Sequence, residues 1–261
     1  MDRAVLREAA RLSELHHPYA LALLVDAEGS TPRGQGASML AREDGTLLGT
    51  VGGAALEERV KELLATALRE HRGSLRTFEL RGWKKGAVPS RCGGSVTIAV
   101  RYVEGGPNVL IWGAGHTGMA LSRVLTAVGY DHTVADDRPG FALPERFPGA
   151  HACWSLDHSE LAPRLSQSAE RFSHAYLLGY DAEKDEDLLA SLLPAFPGHV
   201  GLIASRTKRG LTLRSLARRG LSKVALQRLR SPVGIEIGAE TPEEIAVSIT
   251  AEVIRDVRGA A

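Results

Sequence analysis

The stretch Gly113-Ala114-Gly115-His116-Thr117-Gly118 constrains the fold of this chain more than any other. It reads G-x-G-x-x-G. An apolar run of strand length, Asn108-Val109-Leu110-Ile111-Trp112, precedes it, and Met119 to Leu125 follows with helical spacing. A second run, His132 to Ala135, ends in Asp136, about 20 residues beyond the turn. Strand, glycine turn, helix, strand and acid in this register predict a Rossmann-like unit. Gly113 would permit the tight turn, Gly115 the approach of backbone to a phosphate, and Gly118 the packing of helix on strand. The helix start would offer N–H groups and the positive dipole end to an anion. His116, inside the turn, either faces that ligand or points to solvent. The unit begins only near residue 108, so a separate domain must precede it.

A length of 261 residues suits two modest domains, each with its own core. The expected class is α/β: an N-terminal α+β domain over 1–104, a linker at Gly105-Gly106-Pro107, and a Rossmann-like, doubly wound parallel-sheet domain over 108–261. In the first half, a helix is expected over 2–15 and strands over 19–26, 38–41, 47–51, 78–80 and 95–103, with a helix over 56–69. In the second, strands are expected over 109–112, 133–136, 176–178 and 200–204. Thr241-Pro242-Glu243-Glu244 is a capping box that starts a last helix, with Ile245, Ile249, Val253 and Val257 on one face.

A net charge of +1 gives no global sign of nucleic-acid binding. The charged start, Met1-Asp2-Arg3, does not read as a secretory signal, and no apolar run approaches the ~20 residues of a membrane span. Two cysteines, Cys92 and Cys153, make no disulfide framework. The expectation is a cytoplasmic protein with reduced thiols and no membrane partner.

Three glycine-centred loops in the first half could carry chemistry. One holds Arg33 between Gly29 and Gly36. The second holds Gly52-Gly53, with Glu57 at a helix start. The third is Cys92-Gly93-Gly94. Exposed backbone, an arginine and a thiol together suit an anionic, sulfur-bearing ligand, although each loop alone reads as a hairpin turn. Cys92 follows Arg91 and lies near Lys84 and Lys85, cations that would favour its thiolate as nucleophile or metal ligand. Cys153, between Ala152 and Trp154, reads as core filler. The histidines show no zinc spacing, and neither a G-x-S-x-G elbow nor a Walker loop is present. Between Val200 and Ile235 the charged residues are all basic. Most would form a solvated helix face, but Ser205-Arg206-Thr207-Lys208 follows a strand end, where ligands of such sheets bind, so Arg206 and Lys208 are candidate anion contacts.

Several of these motifs together resemble the XdhC/CoxI family. They are Gly29-Ser30-Thr31-Pro32-Arg33, Gly49-Thr50-Val51-Gly52-Gly53, Cys92-Gly93-Gly94, Gly113-Ala114-Gly115-His116, Asp136-Asp137-Arg138-Pro139, Ser205-Arg206-Thr207-Lys208, and the run from Ser231 to Ala246. The resemblance is collinear from about residue 20 to the end. It implies an accessory protein that binds the molybdenum cofactor, as molybdopterin or its dinucleotide form, and holds it while a cysteine desulfurase helps place the sulfido ligand. It further implies delivery to an apo-enzyme of the xanthine dehydrogenase type, with Cys92 as a molybdenum or sulfur contact and Asp137, Arg138 and Ser205 among the cofactor-binding residues. A homodimer is expected. The chain departs from the family pattern at Ala54, Ala55, Tyr180 and Ala204. The alternative reading is an NAD(P)-dependent oxidoreductase in which Asp136 accepts from a ribose 2′-hydroxyl, though no Y-x-x-x-K pair follows the glycine turn. On the leading reading the chain is a maturation factor rather than an enzyme.

Overall fold

The computed structural model describes residues 2–80, 88 and 93–259. By its contacts the chain divides into two compact units, Met1–Gly105 and Gly106–Ala261. Cys92, with Lys84, Lys85 and Arg91, lies outside the described residues.

In the first unit, α1 (Arg3–Glu14) is followed by β1 (Tyr19–Glu28), β2 (Ser38–Arg42) and β3 (Leu47–Thr50). Helix α2 (Ala54–Glu70), β4 (Ser74–Glu79) and β5 (Ser95–Val103) complete it. The five strands form an antiparallel sheet in the order β3-β2-β1-β5-β4. Side chains alternate across its two faces, as the period of two requires. Ala20, Ala22, Leu24, Met39 and Ala41 face one way and join Leu56, Val60 and Leu64 of α2 in a core. Tyr19 and Leu40 face the other and pack with Val5, Ala9 and Leu12 of α1. Strand β4 starts four residues before the expected 78–80. It is an edge strand with most of its side chains exposed, so no apolar alternation marks it.

The second unit runs β6 (Asn108–Trp112), α3 (His116–Ala127), β7 (Asp131–Asp136), β8 (Ala152–Ser155), α4 (His158–Gln167) and β9 (His174–Leu177). It continues with α5 (Ala182–Ala195), β10 (His199–Leu202), α6 (Arg206–Arg218), α7 (Lys223–Gln227), β11 (Leu229–Arg230) and α8 (Pro242–Gly259). All pairings are parallel, in the order β11-β10-β9-β6-β7-β8. Numbered from β6, this is the 3-2-1-4-5-6 order of the doubly wound fold, with the reversal between β6 and β9. Central strands are apolar on both faces because helices cover both. Val109 and Ile111 pack with α3 and α8, while Leu110 and Trp112 pack with α4, α5 and α6. The short edge strands β8 and β11 had no signature in the sequence. Cys153, on β8, packs against the core on the α3–α8 face, and burial raises its thiol pKa.

Candidate functional site

In the second unit the glycine turn leaves β6 at the point of strand reversal. Gly113 has φ +112°, and a Cβ there would lie 2.6 Å from the Leu178 carbonyl, so the turn and the end of β9 approach through backbone alone. A Cβ on Gly118 would collide with the Gly113 carbonyl, which is the helix-on-strand contact expected of the third glycine. Gly115 differs: a methyl there meets no protein atom within 4 Å. It is the N-cap of α3 and supplies no side-chain cap, so N–H groups of the first turn remain open. His116 is the first residue of the helix and is exposed.

The contrast yields a prediction. Gly118→Ala should destabilise the unit by about 1–3 kcal/mol, the range for overpacking a tight contact. Gly115→Ala should stay within about 0.5 kcal/mol of the parent and act on ligand affinity alone. Denaturant midpoints of the two variants measured side by side test this; equal losses would show that Gly115 is as structural as Gly118.

Asp136 ends β7 with 1% of its surface exposed. Its Oδ2 accepts from the Ala114 N–H at 2.6 Å and from Arg138 Nη2 at 2.8 Å. Its Oδ1 accepts from the Arg138 N–H and Nε, both at 2.9 Å. A carboxylate offers about four acceptor positions, and all are filled. Burial alone would push the pKa of this carboxyl up; the Arg138 and Ala114 hydrogen bonds outweigh it and hold it below the usual range. Arg138 lies over the rings of Phe141, at 3.7 Å, and Tyr180, at 4.4 Å. Arg146 Nη2 donates to the Ala114 carbonyl at 3.2 Å, fixing the glycine turn from its other side. Asp137 is ion-paired with Lys184, which also donates to Tyr180 Oη at 3.3 Å. Sequence reasoning reached Asp136, Asp137 and Arg138 but not Phe141, Arg146 or Lys184. Arg146 and Lys184 stand tens of residues from Ala114 and Asp137, and Phe141, though only three residues from Arg138, belongs to no motif.

Ser205 caps α6 by accepting from the Lys208 N–H at 3.2 Å. Lys208 does not stand free: its ammonium donates to Asp185 Oδ2 at 3.4 Å. Asp185 is buried against Gly179, and its Oδ1 has no partner among the described residues. Burial raises its pKa against the pull of Lys208. Arg206 is exposed, with no ion pair among the described residues. It borders a cavity of 350 Å³ beyond the carboxyl end of β10, which Glu236 and apolar residues of the 232–239 loop also line.

In the first unit the glycine loops converge. A Cβ on Gly94 would collide with the carbonyls of Glu28 and Ser30, and one on Gly52 with the Arg33 side chain. The loop that carries Arg33 therefore touches both of the others. Gly36 donates to the Leu24 carbonyl at 2.9 Å, tying the far side of this loop to β1. Thr50 Oγ1 donates to Glu57 and accepts from the Gly52 N–H at 3.1 Å, so Glu57 fixes the Gly52-Gly53 turn. Gly93 is exposed beside Gly94. Arg33 is exposed with no ion pair among the described residues.

At the opposite, amino edge of the parallel sheet, His174, His199 and Asp256 bring possible ligand atoms within 4.8 Å of one another. Asp256 is ion-paired there with Arg230, whose charge already answers the carboxylate. The cluster extends through Arg230 to Glu252, which accepts from Tyr176 Oη at 2.8 Å.

The strand order and the glycine turn at the reversal point define a Rossmann-like unit, joined in one chain to a glycine-loop α+β unit. The chain belongs to the XdhC and CoxI family: residues 12–79 match that family and residues 109–253 match the XdhC Rossmann domain. Among its relatives, the YqeB protein of Escherichia coli K12 is 36% identical over 253 residues, spanning 96% of this chain and 46% of YqeB. A probable xanthine dehydrogenase component of Bacillus subtilis 168 is 28% identical over 62% of this chain and 46% of its own length. The chain thus spans about half the length of these two. The molybdenum cofactor insertion chaperone PaoD of Escherichia coli K12 is 24% identical over 96% of this chain and 87% of its own. The crystal structure of a xanthine dehydrogenase from Bacillus halodurans shares the fold, with TM-score 0.50 and 20% identity over 97% of this chain and 96% of that one. Among the described residues no helix is long and apolar enough to cross a membrane.

Proposed function

We propose that this protein binds the molybdenum cofactor as cargo, holds it while a cysteine desulfurase supports sulfuration, and delivers it to an apo molybdenum hydroxylase. It acts as a maturation factor in the cytoplasm, as a homodimer, rather than as a turnover enzyme. The relationship to PaoD supports the cargo. The observation that carries the reading within this chain is the state of Asp136. In an NAD-binding unit this acid accepts from the ribose 2′-hydroxyl, and here its four acceptor positions are already taken by Ala114 and Arg138. The remaining features fit a phosphate-bearing cargo without a ribose reader: the open turn at Gly115, the start of α3 without a side-chain cap, and Arg206, exposed and without an ion pair among the described residues. Within the second unit His116 and Ser205 are further proposed cofactor contacts; within the first unit the converging loops with Arg33, Gly52, Gly53 and Gly94 form a proposed contact set of their own. Cys92 is its proposed sulfur or metal contact.

The test is extraction of the purified full chain for pterin, read as its fluorescent oxidation product, beside titration with NAD and NADP. The expected result is bound pterin, markedly reduced in Cys92→Ala, and no saturable dinucleotide binding. A chain that carries no pterin and saturates with NADP would reverse the reading in favour of the oxidoreductase.

A further inference from the structure

The cavity beyond β10 holds more chemistry than an anion contact. Its walls are branched aliphatic side chains, among them Ile203, Val233, Ile235 and Ile245. One cation, Arg206, and one anion, Glu236, border it. Neither has a salt-bridge partner among the described residues. The Glu236 carboxylate makes one long contact, accepting from the Gly238 N–H at 3.4 Å, so most of its acceptor capacity stays available. The loop that presents it is fixed. Ser248 Oγ donates to the Ile235 carbonyl at 2.5 Å, and the Ile235 N–H donates back to the Ser248 carbonyl at 3.2 Å. Gly234 lies so close to Ser248 that a side chain there would collide with its hydroxyl. Just before α8, Glu244 takes the N–H groups of Glu240 and Thr241, and Thr241 Oγ1 takes the Glu244 N–H. The polar groups left to orient a ligand in this cavity are therefore chiefly Arg206 and Glu236.

A flat ring suits a cavity of 350 Å³ between branched aliphatic walls. A carboxylate at its rim selects a ring edge with two adjacent N–H donors, because its two oxygens accept them side by side. An amino group next to a ring N–H is that edge, and a 2-amino-4-oxopyrimidine ring presents it. A guanidinium at the same rim takes an anionic substituent. We propose that this cavity is a binding site for a fused 2-amino-4-oxopyrimidine bearing an anionic group, with Glu236 on the amino–N–H edge and Arg206 on the anion. This rests on, and narrows, the cargo reading above, since a pterin carries that edge. Guanine carries it too.

The test is equilibrium binding to the purified full chain, with 6-carboxypterin, GMP and AMP as probes. AMP lacks the paired donors and serves as the control. Binding of 6-carboxypterin or GMP, at least tenfold tighter than AMP, is expected. Tighter 6-carboxypterin would assign the site to a pterin and tighter GMP to a guanine nucleotide, and both support the site. Glu236→Gln should weaken the preferred probe about tenfold and leave AMP unchanged, with Glu236→Asp restoring part of the affinity. Arg206→Gln should weaken GMP but not guanosine. Equal affinity for GMP, 6-carboxypterin and AMP, or no response to Glu236→Gln in a variant with the parent's melting curve, would overturn the proposal. Pterin extraction separates its failure from that of the cargo reading. Pterin retained in full by Glu236→Gln would remove the site and leave the cargo. GMP binding that needs Glu236, in a chain that never carries pterin, would do the reverse.

Discussion

Replacing Asp136 with alanine is expected to destabilise the second unit by about 3 kcal/mol, at the lower end of the range for removing one partner of a buried ion pair. The carboxylate is 1% exposed and joins two segments that the chain brings together only on folding. It holds the Ala114 N–H of the glycine turn and the guanidinium and backbone of Arg138. Without it, the buried Ala114 N–H loses its acceptor, and Arg138 retains only the Phe141 and Tyr180 rings. For a unit of this size the loss corresponds to a melting temperature lower by roughly 6–12 °C. Asp136→Asn should fall between, because its amide NH2 would face donors where the carboxylate accepted. The pH dependence has a definite sign. The folded carboxyl titrates below the unfolded one, so its contribution is present above the unfolded value and is lost as pH falls through the folded one. A Tm unchanged in Asp136→Ala would show that the network is incidental and would reopen Asp136 as a ribose acceptor.

Acid should destabilise the same unit through His174. This ring is 2% exposed, and burial lowers its pKa to about 4, against the partial pull of Asp256. Above the unfolded value, ~6.5, both states hold the ring neutral. As pH falls from there towards 4, the unfolded chain takes up a proton that the folded ring refuses, so stability declines across that window. Below the folded value both states are charged and the loss is complete, at about 3 kcal/mol. His132 and His199 are shifted in the same direction by burial and add to the slope. The difference between the parent and His174→Gln isolates the single ring. Denaturant unfolding at pH 7.0 and at about pH 4 should show a smaller acid loss in the variant. Parallel losses in the two proteins would mean that His174 titrates normally.

The fold was legible where its determinants are local. The glycine turn, the apolar runs on either side and the capping box at Thr241 each state their geometry within a few consecutive residues, through steric and hydrogen-bonding limits of the backbone. Helix α8 begins at Pro242, where the capping box places it. The three glycine loops and Arg33 could be named one by one, but their convergence is a property of the antiparallel sheet that returns each to the same end. The edge strand β3 falls within the expected 47–51 and β4 overlaps the expected 78–80, whereas the edge strands β8 and β11, of four and two residues, are too short to carry a period. The roles of charged residues were decided by the tertiary structure alone. Asp136 stands where the motif requires an acid, yet only the packing of β7 against the turn shows it saturated by Ala114 and Arg138. Lys208, read as an anion contact, is turned onto Asp185, a residue 23 positions away. A side chain's charge is written in the sequence, but whether that charge is spent inside the protein depends on which neighbour folding brings within about 3 Å of it.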